Sequence, residues 1–225
     1  MNWVVQSVSD RSPDFGRGSG ADGSGTPGGE ARPLSGAQLG IWFAQKLNPA
    51  SPAYNIGEYI EIDGAIDEAL FEHALSQLIA EADVLRIRID EQSGEPLQVV
   101  GAAGGWSLPV FDVSRKSDPR TAAETWMRDD LARAVDLTRG PLFQFALLKI
   151  SATKFFWYAR YHHIVMDGYG MGLVARRVAE IYSQLAAGGA SQDDALPPLI
   201  DLLDDDARYR ASEQIAQDRH YWIKA

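Results

Sequence analysis

Lys154-Phe155-Phe156-Trp157-Tyr158-Ala159-Arg160-Tyr161-His162-His163-Ile164-Val165-Met166-Asp167-Gly168-Tyr169-Gly170-Met171-Gly172 is the stretch on which the reading of this chain turns. Lys154 to His162 reads as a β-strand, paired antiparallel with Pro141 to Ile150 through the link Ser151-Ala152-Thr153. From about Tyr169 to Leu185 the pattern is helical, and Gly188-Gly189 ends it. His163, Asp167 and Gly168 therefore fall in a tight strand-to-helix junction.

Working toward the N-terminus, Asp118-Pro119 reads as a cap with proline at the first helical position, opening a helix to about Ala134. Val84 to Asp90 and Pro96 to Val100 read as short strands about a Ser93-Gly94 turn, and Gly101 to Gly105 as loop. Asp67 caps a helix whose positions Leu70, Phe71, Ala74, Leu75, Leu78, Ile79 and Ala82 recur at helical spacing. Tyr54 to Ile62 alternates as a strand, with Tyr54, Ile56, Glu58, Ile60 and Ile62 on one face. Ser35 caps a helix to about Leu47. Toward the C-terminus, one last helix is expected from about Asp204 to Ile223. Strands flanked by long helices without strict βα repetition imply an α/β sandwich with a mixed sheet.

Residues 1–33 read as a flexible leader, because Ser12 to Arg32 is rich in Gly, Ser and Pro and has little to bury. Residues 34–225 form the globular part. The chain ends in or just after a helix with no closing strand, so the natural polypeptide is expected to continue.

Composition removes several function classes. There are no cysteines among the 225 residues, which excludes disulfides, cysteine nucleophiles and thiolate metal sites and fits a cytoplasmic protein. The net charge of -10 argues against a nucleic-acid binder. No apolar run approaches the roughly 18 residues that span a membrane.

The junction carries the chemistry. Imidazole titrates near neutral pH, and N–H groups at a helix start stabilise developing negative charge. A histidine of the pair His162-His163, at the strand end beside the glycine-lined helix start, is thus a candidate proton-transfer site, although a histidine pair also serves packing, and Asp167 also serves as a helix cap. A metal shared by His162, His163 and Asp167 would need an unusual turn, because adjacent histidines project differently. Gly18-x-Gly20-x-x-Gly23 lacks a preceding strand and is discounted as a dinucleotide site. Asp204-Asp205-Asp206 reads as a solvated helix start.

His162-His163-Ile164-Val165-Met166-Asp167-Gly168 matches the HHxxxDG signature of nonribosomal peptide synthetase condensation domains and of the wider chloramphenicol-acetyltransferase-like superfamily. Ser35-Gly36-Ala37-Gln38-Leu39-Gly40-Ile41-Trp42-Phe43 resembles the family's first motif, and Glu81-Ala82-Asp83-Val84-Leu85-Arg86 resembles its second. In the second, Glu81-Ala82-Asp83 departs from the usual Arg-His-Glu while Leu85-Arg86 is kept. With Tyr161-His162-His163 and Asp167-Gly168-Tyr169, this variant is similar to siderophore synthetase domains of the enterobactin type.

The resemblance implies a chloramphenicol-acetyltransferase-like two-layer sandwich with a mixed, largely antiparallel sheet, one lobe of a V-shaped two-lobe domain. It implies amide formation: the amine of a carrier-bound acceptor amino acid attacks a carrier-bound donor thioester. His163 would act on the amine and the Gly168 N–H on the carbonyl, with His162, Asp167 and Arg86 supporting the site. Arg86 is a candidate partner of Asp167, with an arginine of the second lobe as the alternative. Tyr169 and Met171 line the channel or simply pack; Trp42, Phe43, Phe155 and Trp157 are expected in the core. The implied partners are donor and acceptor carrier proteins, the C-terminal lobe and downstream synthetase domains, with no nucleic acid and no membrane. No metal or free cofactor is expected on the chain, since substrates arrive on phosphopantetheine arms, and this lobe is not expected to turn over unaided. Rival readings are a coenzyme A acyltransferase, an epimerization domain, or a non-enzymatic carrier-protein docking fragment.

Overall fold

The computed structural model describes residues 2–7, 30–92, 94–189 and 196–224. The strands are β1 (Asn2–Ser7), β2 (Arg32–Pro33), β3 (Asn55–Asp63), β4 (Ile87–Asp90), β5 (Leu97–Val100), β6 (Val110–Asp112), β7 (Phe143–Ser151) and β8 (Lys154–His162). The helices are α1 (Gly36–Leu47), α2 (Glu68–Glu81), α3 (Pro119–Leu131), α4 (Gly168–Ala186), α5 (Leu199–Arg210) and α6 (Glu213–Lys224). A five-stranded sheet runs β1-β3-β8-β7-β6 and a three-stranded sheet runs β2-β5-β4. Only β6 and β7 pair in parallel; the other described pairs are antiparallel. This is the expected α/β sandwich with a mixed, largely antiparallel sheet.

The central position of β8 follows from its sequence. Its apolar side chains are buried on both faces, so it must be covered twice. Phe155, Trp157, Ala159 and Tyr161 join Ile60 and Ile62 of β3 against α2 and α4, where Phe71, Leu75, Leu78, Val174, Val178 and Ile181 pack. Phe156 and Tyr158 face the other way, with Tyr59, against Ala123 and Met127 of α3. The period-2 alternation of a strand assigns each residue to its layer. Fully burying side chains of this size stabilises by about 1.5–3 kcal/mol each relative to exposure.

Several boundaries differ from expectation. The two ends of the supposed leader are strands: Asn2–Ser7 pairs with β3, and Arg32–Pro33 pairs with β5. The rest of the leader, residues 8–29, and its glycine triplet lie outside the described residues, as does Ser93 of the expected turn. The expected strand from Val84 begins only at Ile87, because Asp83–Arg86 is a single 3₁₀ turn. Arg86 holds that turn by donating to the carbonyls of Ile79 and Gly101 and to Asp83. The expected single last helix is two, with a break at Ala211-Ser212, where the Ser212 hydroxyl donates to the Tyr209 carbonyl. Serine bonding of this kind competes with helix continuation. The first of the two begins earlier than expected, at Leu199, whose N–H donates to Asp83. Phe43 is exposed and Trp42 half-buried, whereas Phe155 and Trp157 are core. Among the described residues, no helix is long and apolar enough to cross a membrane.

Candidate active site at the β8–α4 junction

Burial of β8 on both faces carries the chain straight to His162, and the turn His163–Asp167 reverses it into α4. The Asp167 carboxylate accepts from the Gly170 N–H at 2.8 Å, so it is the N-cap of α4. The expected Asp167–Arg86 pair does not form. Arg86 is consumed at the α2–β5 corner, and no arginine reaches Asp167 among the described residues. The glycine with a close neighbour is Gly170 rather than Gly168. A Cβ on Gly170 would lie 2.6 Å from Met166 Sδ, while one on Gly168 would meet nothing within 4 Å. Gly168 is exposed, and like Tyr169 it presents a first-turn N–H that has no partner within the helix.

The two histidines occupy opposite environments. His162 is buried, and both its ring nitrogens are engaged. Nδ1 accepts from the Ile164 N–H at 3.2 Å, which leaves the proton on Nε2, 3.3 Å from Gln45 Oε1. Burial, then the neighbouring charges of His163 and Arg160, push its pKa from 6.5 down to about 4. His163 is exposed. Its backbone N–H donates to the Tyr54 carbonyl at 2.7 Å, and its Nδ1 lies 2.8 Å from the Met166 carbonyl. A carbonyl oxygen only accepts, so Nδ1 carries the proton of the neutral ring and Nε2 offers its lone pair. No partner meets that Nε2 among the described residues. Because His162 has no free nitrogen, His162, His163 and Asp167 do not converge on one ion. No group of three or more His, Asp or Glu residues able to hold a metal occurs among the described residues.

Tyr169 is exposed beside the junction, and Met171 is half-buried against the main core. Beneath the loop, the buried Tyr161 hydroxyl has no partner among the described residues, and burial pushes the Glu58 carboxyl pKa upward. A buried pair that the spacing of motifs did not reveal joins α4 to α2. Arg177 Nε and Nη2 hold the two Glu81 oxygens at 2.8 and 3.0 Å. Glu81 stands where the family's second motif usually has arginine, and that departure was the available signal.

The chain belongs to the condensation-domain family: the family model matches residues 30–225. It is 46% identical over 195 residues to an isonitrile lipopeptide synthase of Streptomyces coeruleorubidus, covering 86% of this chain and 13% of that protein. Identity is 45% over 190 residues to a dimodular nonribosomal peptide synthase of Bacillus subtilis, covering 84% of this chain and 8% of that one. Enterobactin synthase component F of Escherichia coli is 33% identical over 194 residues, covering 85% of this chain and 15% of that protein. Among solved structures, the starter condensation domain of rhizomide synthetase, a variant in complex with C8-CoA and Leu-SNAC, superposes with a TM-score of 0.83 at 46% identity. That match covers 86% of this chain and 45% of the solved one, so the chain spans under half of it.

Proposed function

We propose that this chain is the histidine-bearing, N-terminal lobe of an amide-forming condensation domain of a nonribosomal peptide synthetase. The observation that carries the reading is the His163 ring. Its Nδ1–H is fixed on the Met166 carbonyl, and the exposed ring keeps an Nε2 lone pair without a partner among the described residues, in the turn that leads into α4. A thioester is already activated, so the chain needs no nucleophile of its own. The acceptor amine attacks the thioester carbonyl, a C–N bond forms and the C–S bond breaks. His163 Nε2 orients the amine and receives its proton, which leaves on the departing thiol. The Gly168 N–H, at the exposed first turn of α4, meets the carbonyl oxygen as charge develops there. His162 and Asp167 are scaffold, and Arg86 supports the α2–β5 corner rather than the site. Tyr169 is the better placed of the two channel candidates, since Met171 packs partly on the core.

The donor and acceptor are presented on phosphopantetheine arms of carrier proteins, with the C-terminal lobe supplying the opposite wall and the synthetase's downstream domains following it. A second donor is favoured by a specific likeness. The rhizomide starter domain, 46% identical, was solved with C8-CoA, so an acyl-coenzyme A in place of the donor carrier fits the same chemistry.

The test is amide formation by the full two-lobe domain, comparing wild type with His163→Ala. A loss of about 10²–10⁴-fold in kcat is expected from removing the proton-handling group. Unchanged amide yield would reject the assignment. Running the assay with acyl-coenzyme A and with an acylated carrier separates the two donors.

A further inference from the structure

We propose that Gln38 and Gln45, two turns apart on one face of α1, are positioning residues that clamp His163 from both sides. The proposal rests on the reading of His163 as the group that handles the amine's proton.

Gln45 is 4% exposed, and its Nε2 lies 3.3, 3.2 and 3.1 Å from the carbonyls of Asn48, Pro49 and Ser51. Carbonyls only accept, so the amide NH₂ must face that loop and Oε1 must face His162. His162 independently requires an acceptor there, because its Nδ1 already takes the Ile164 N–H. Two separate constraints thus fix the same tautomer. The loop that Gln45 grips leads directly to Tyr54, whose carbonyl receives the His163 N–H. One side chain therefore holds the residue before His163 and the strand entry that anchors its backbone.

Gln38 grips the residue after it. Its Nε2 reaches the Ile164 carbonyl at 3.3 Å and Gln98 Oε1 at 3.1 Å. Gln98, 1% exposed, returns its own amide to Gln38 Oε1 at 2.9 Å and to the Pro33 carbonyl at 3.0 Å. Residues spaced by two turns share a helix face. α1 thus places one amide on His162 and the other on Ile164, with His163 between them. Glutamine suits both positions because each must donate and accept at once without adding charge. Carboxylates would face carbonyls, and apolar groups would leave buried acceptors unpaired.

The clamp predicts a catalytic signature as well as a structural one. In the full two-lobe domain, Gln45→Leu should lower kcat by about 100-fold, the scale of a one-ångström misplacement, with acceptor KM little changed. In the 225-residue chain, ¹⁵N spectra should show the His163 ring leaving its Nδ1–H tautomer, because a released loop no longer holds it on Met166. A merely stabilising residue would lower the melting temperature and leave the tautomer of the folded population untouched. If Gln45→Leu does not fold, Gln38→Leu carries the same two readouts from a half-buried position. A folded variant with wild-type kcat and an unchanged His163 ring overturns the clamp. Activity surviving in His163→Ala would instead sink the functional reading, and the ring spectra would still test the clamp.

Discussion

Across residues 162–170 the chain is held at almost every step, whereas α6 is held at very few. In the junction, the His162 ring, the His163 backbone and ring, the Ile164 carbonyl and the Asp167 carboxylate each have a named partner. In α6 no residue is buried, and Tyr221, Trp222 and Ile223 are all exposed. One surface bond, from the Tyr209 hydroxyl to Asp218, joins α5 to α6, and the Gln214–Asp218 bond lies within α6. α5 itself is anchored at Leu199, which is buried, and by the Gly36 N–H donating to Asp206. The contrast arises from what each region packs against. The junction sits on a two-sided sheet with α2 and α4 below it, while α6 rests on α5. The same substitution chemistry should therefore have very different consequences in the two places.

The largest stability effect is expected where α4 is bolted to α2. Arg177 and Glu81 form a bidentate pair with side chains only 5% and 14% exposed. Burial raises the Glu81 pKa, but the hydrogen bonds from Arg177 and Gln77 outweigh it and the net shift is downward. Removing Arg177 leaves the largely buried Glu81 charge with only the Gln77 amide, and breaking a fully buried pair costs about 3–5 kcal/mol. Arg177→Ala should lose that much in a urea titration of this chain. A loss below about 1 kcal/mol, typical of an exposed pair, would mean that the junction rests on something other than this bolt.

Next comes the pH response of His162. Its folded pKa of about 4 lies below the unfolded 6.5, so the unfolded chain binds the proton first. Stability should therefore be full above pH 6.5 and fall as pH drops toward 4. The shift corresponds to roughly 3 kcal/mol, at 1.36 kcal/mol per unit. Glu61 and Glu81, whose pKa values are lowered from 4.5, act mainly below that value, while Glu58, raised by burial, titrates above it with the opposite sign in wild type and variant alike, so the difference between the two from pH 6.5 to 4.5 reports on histidine. Denaturant midpoints of wild type and His162→Gln over this interval check it. The wild-type slope should be the steeper, and equal slopes would show that His162 takes up its proton without unfolding.

Much of this contrast was legible before the structure. The pairing of β7 with β8, the helical spacing of α2, and the caps Ser35, Asp67 and Asp118 follow from local patterns, and each forms as read. Position in the junction marked the histidine pair, the family resemblance chose His163 within it, and the structure adds its tautomer, which only the Met166 carbonyl reveals. What could not be read were partners chosen by tertiary geometry. Arg86 had a plausible match in Asp167 by charge, yet the fold brings the carbonyls of Ile79 and Gly101 to it instead. Gln38 stood inside a recognised motif and Gln45 outside it, and neither type announces a role, because an amide's meaning lies in which groups the fold turns toward it. Phe43 was assigned to the core on hydrophobicity alone, although α1 packs Ile41 and Trp42 on the core and leaves Leu39, Phe43 and Leu47 outward.

The smallest effect is expected at Trp222. It is 74% exposed, and its ring makes an edge contact with Tyr221, itself 64% exposed, at 5.2 Å. Tryptophan is a large apolar side chain, so in the junction's surroundings truncation to alanine would cost about 3–5 kcal/mol. Here there is no cavity to leave behind and little area to return to water. Alanine is also the better helix former, which offsets part of what little is lost. Trp222→Ala should therefore change the unfolding free energy of this chain by no more than about 0.5 kcal/mol, the ordinary range for a surface site. The same urea titration used for Arg177→Ala measures it, which puts both ends of the comparison on one scale. A cost of several kcal/mol would place Trp222 in a packed environment and erase the distinction between the two regions. A null result would leave Tyr221, Trp222 and Ile223 as apolar area that this chain's own stability does not depend on.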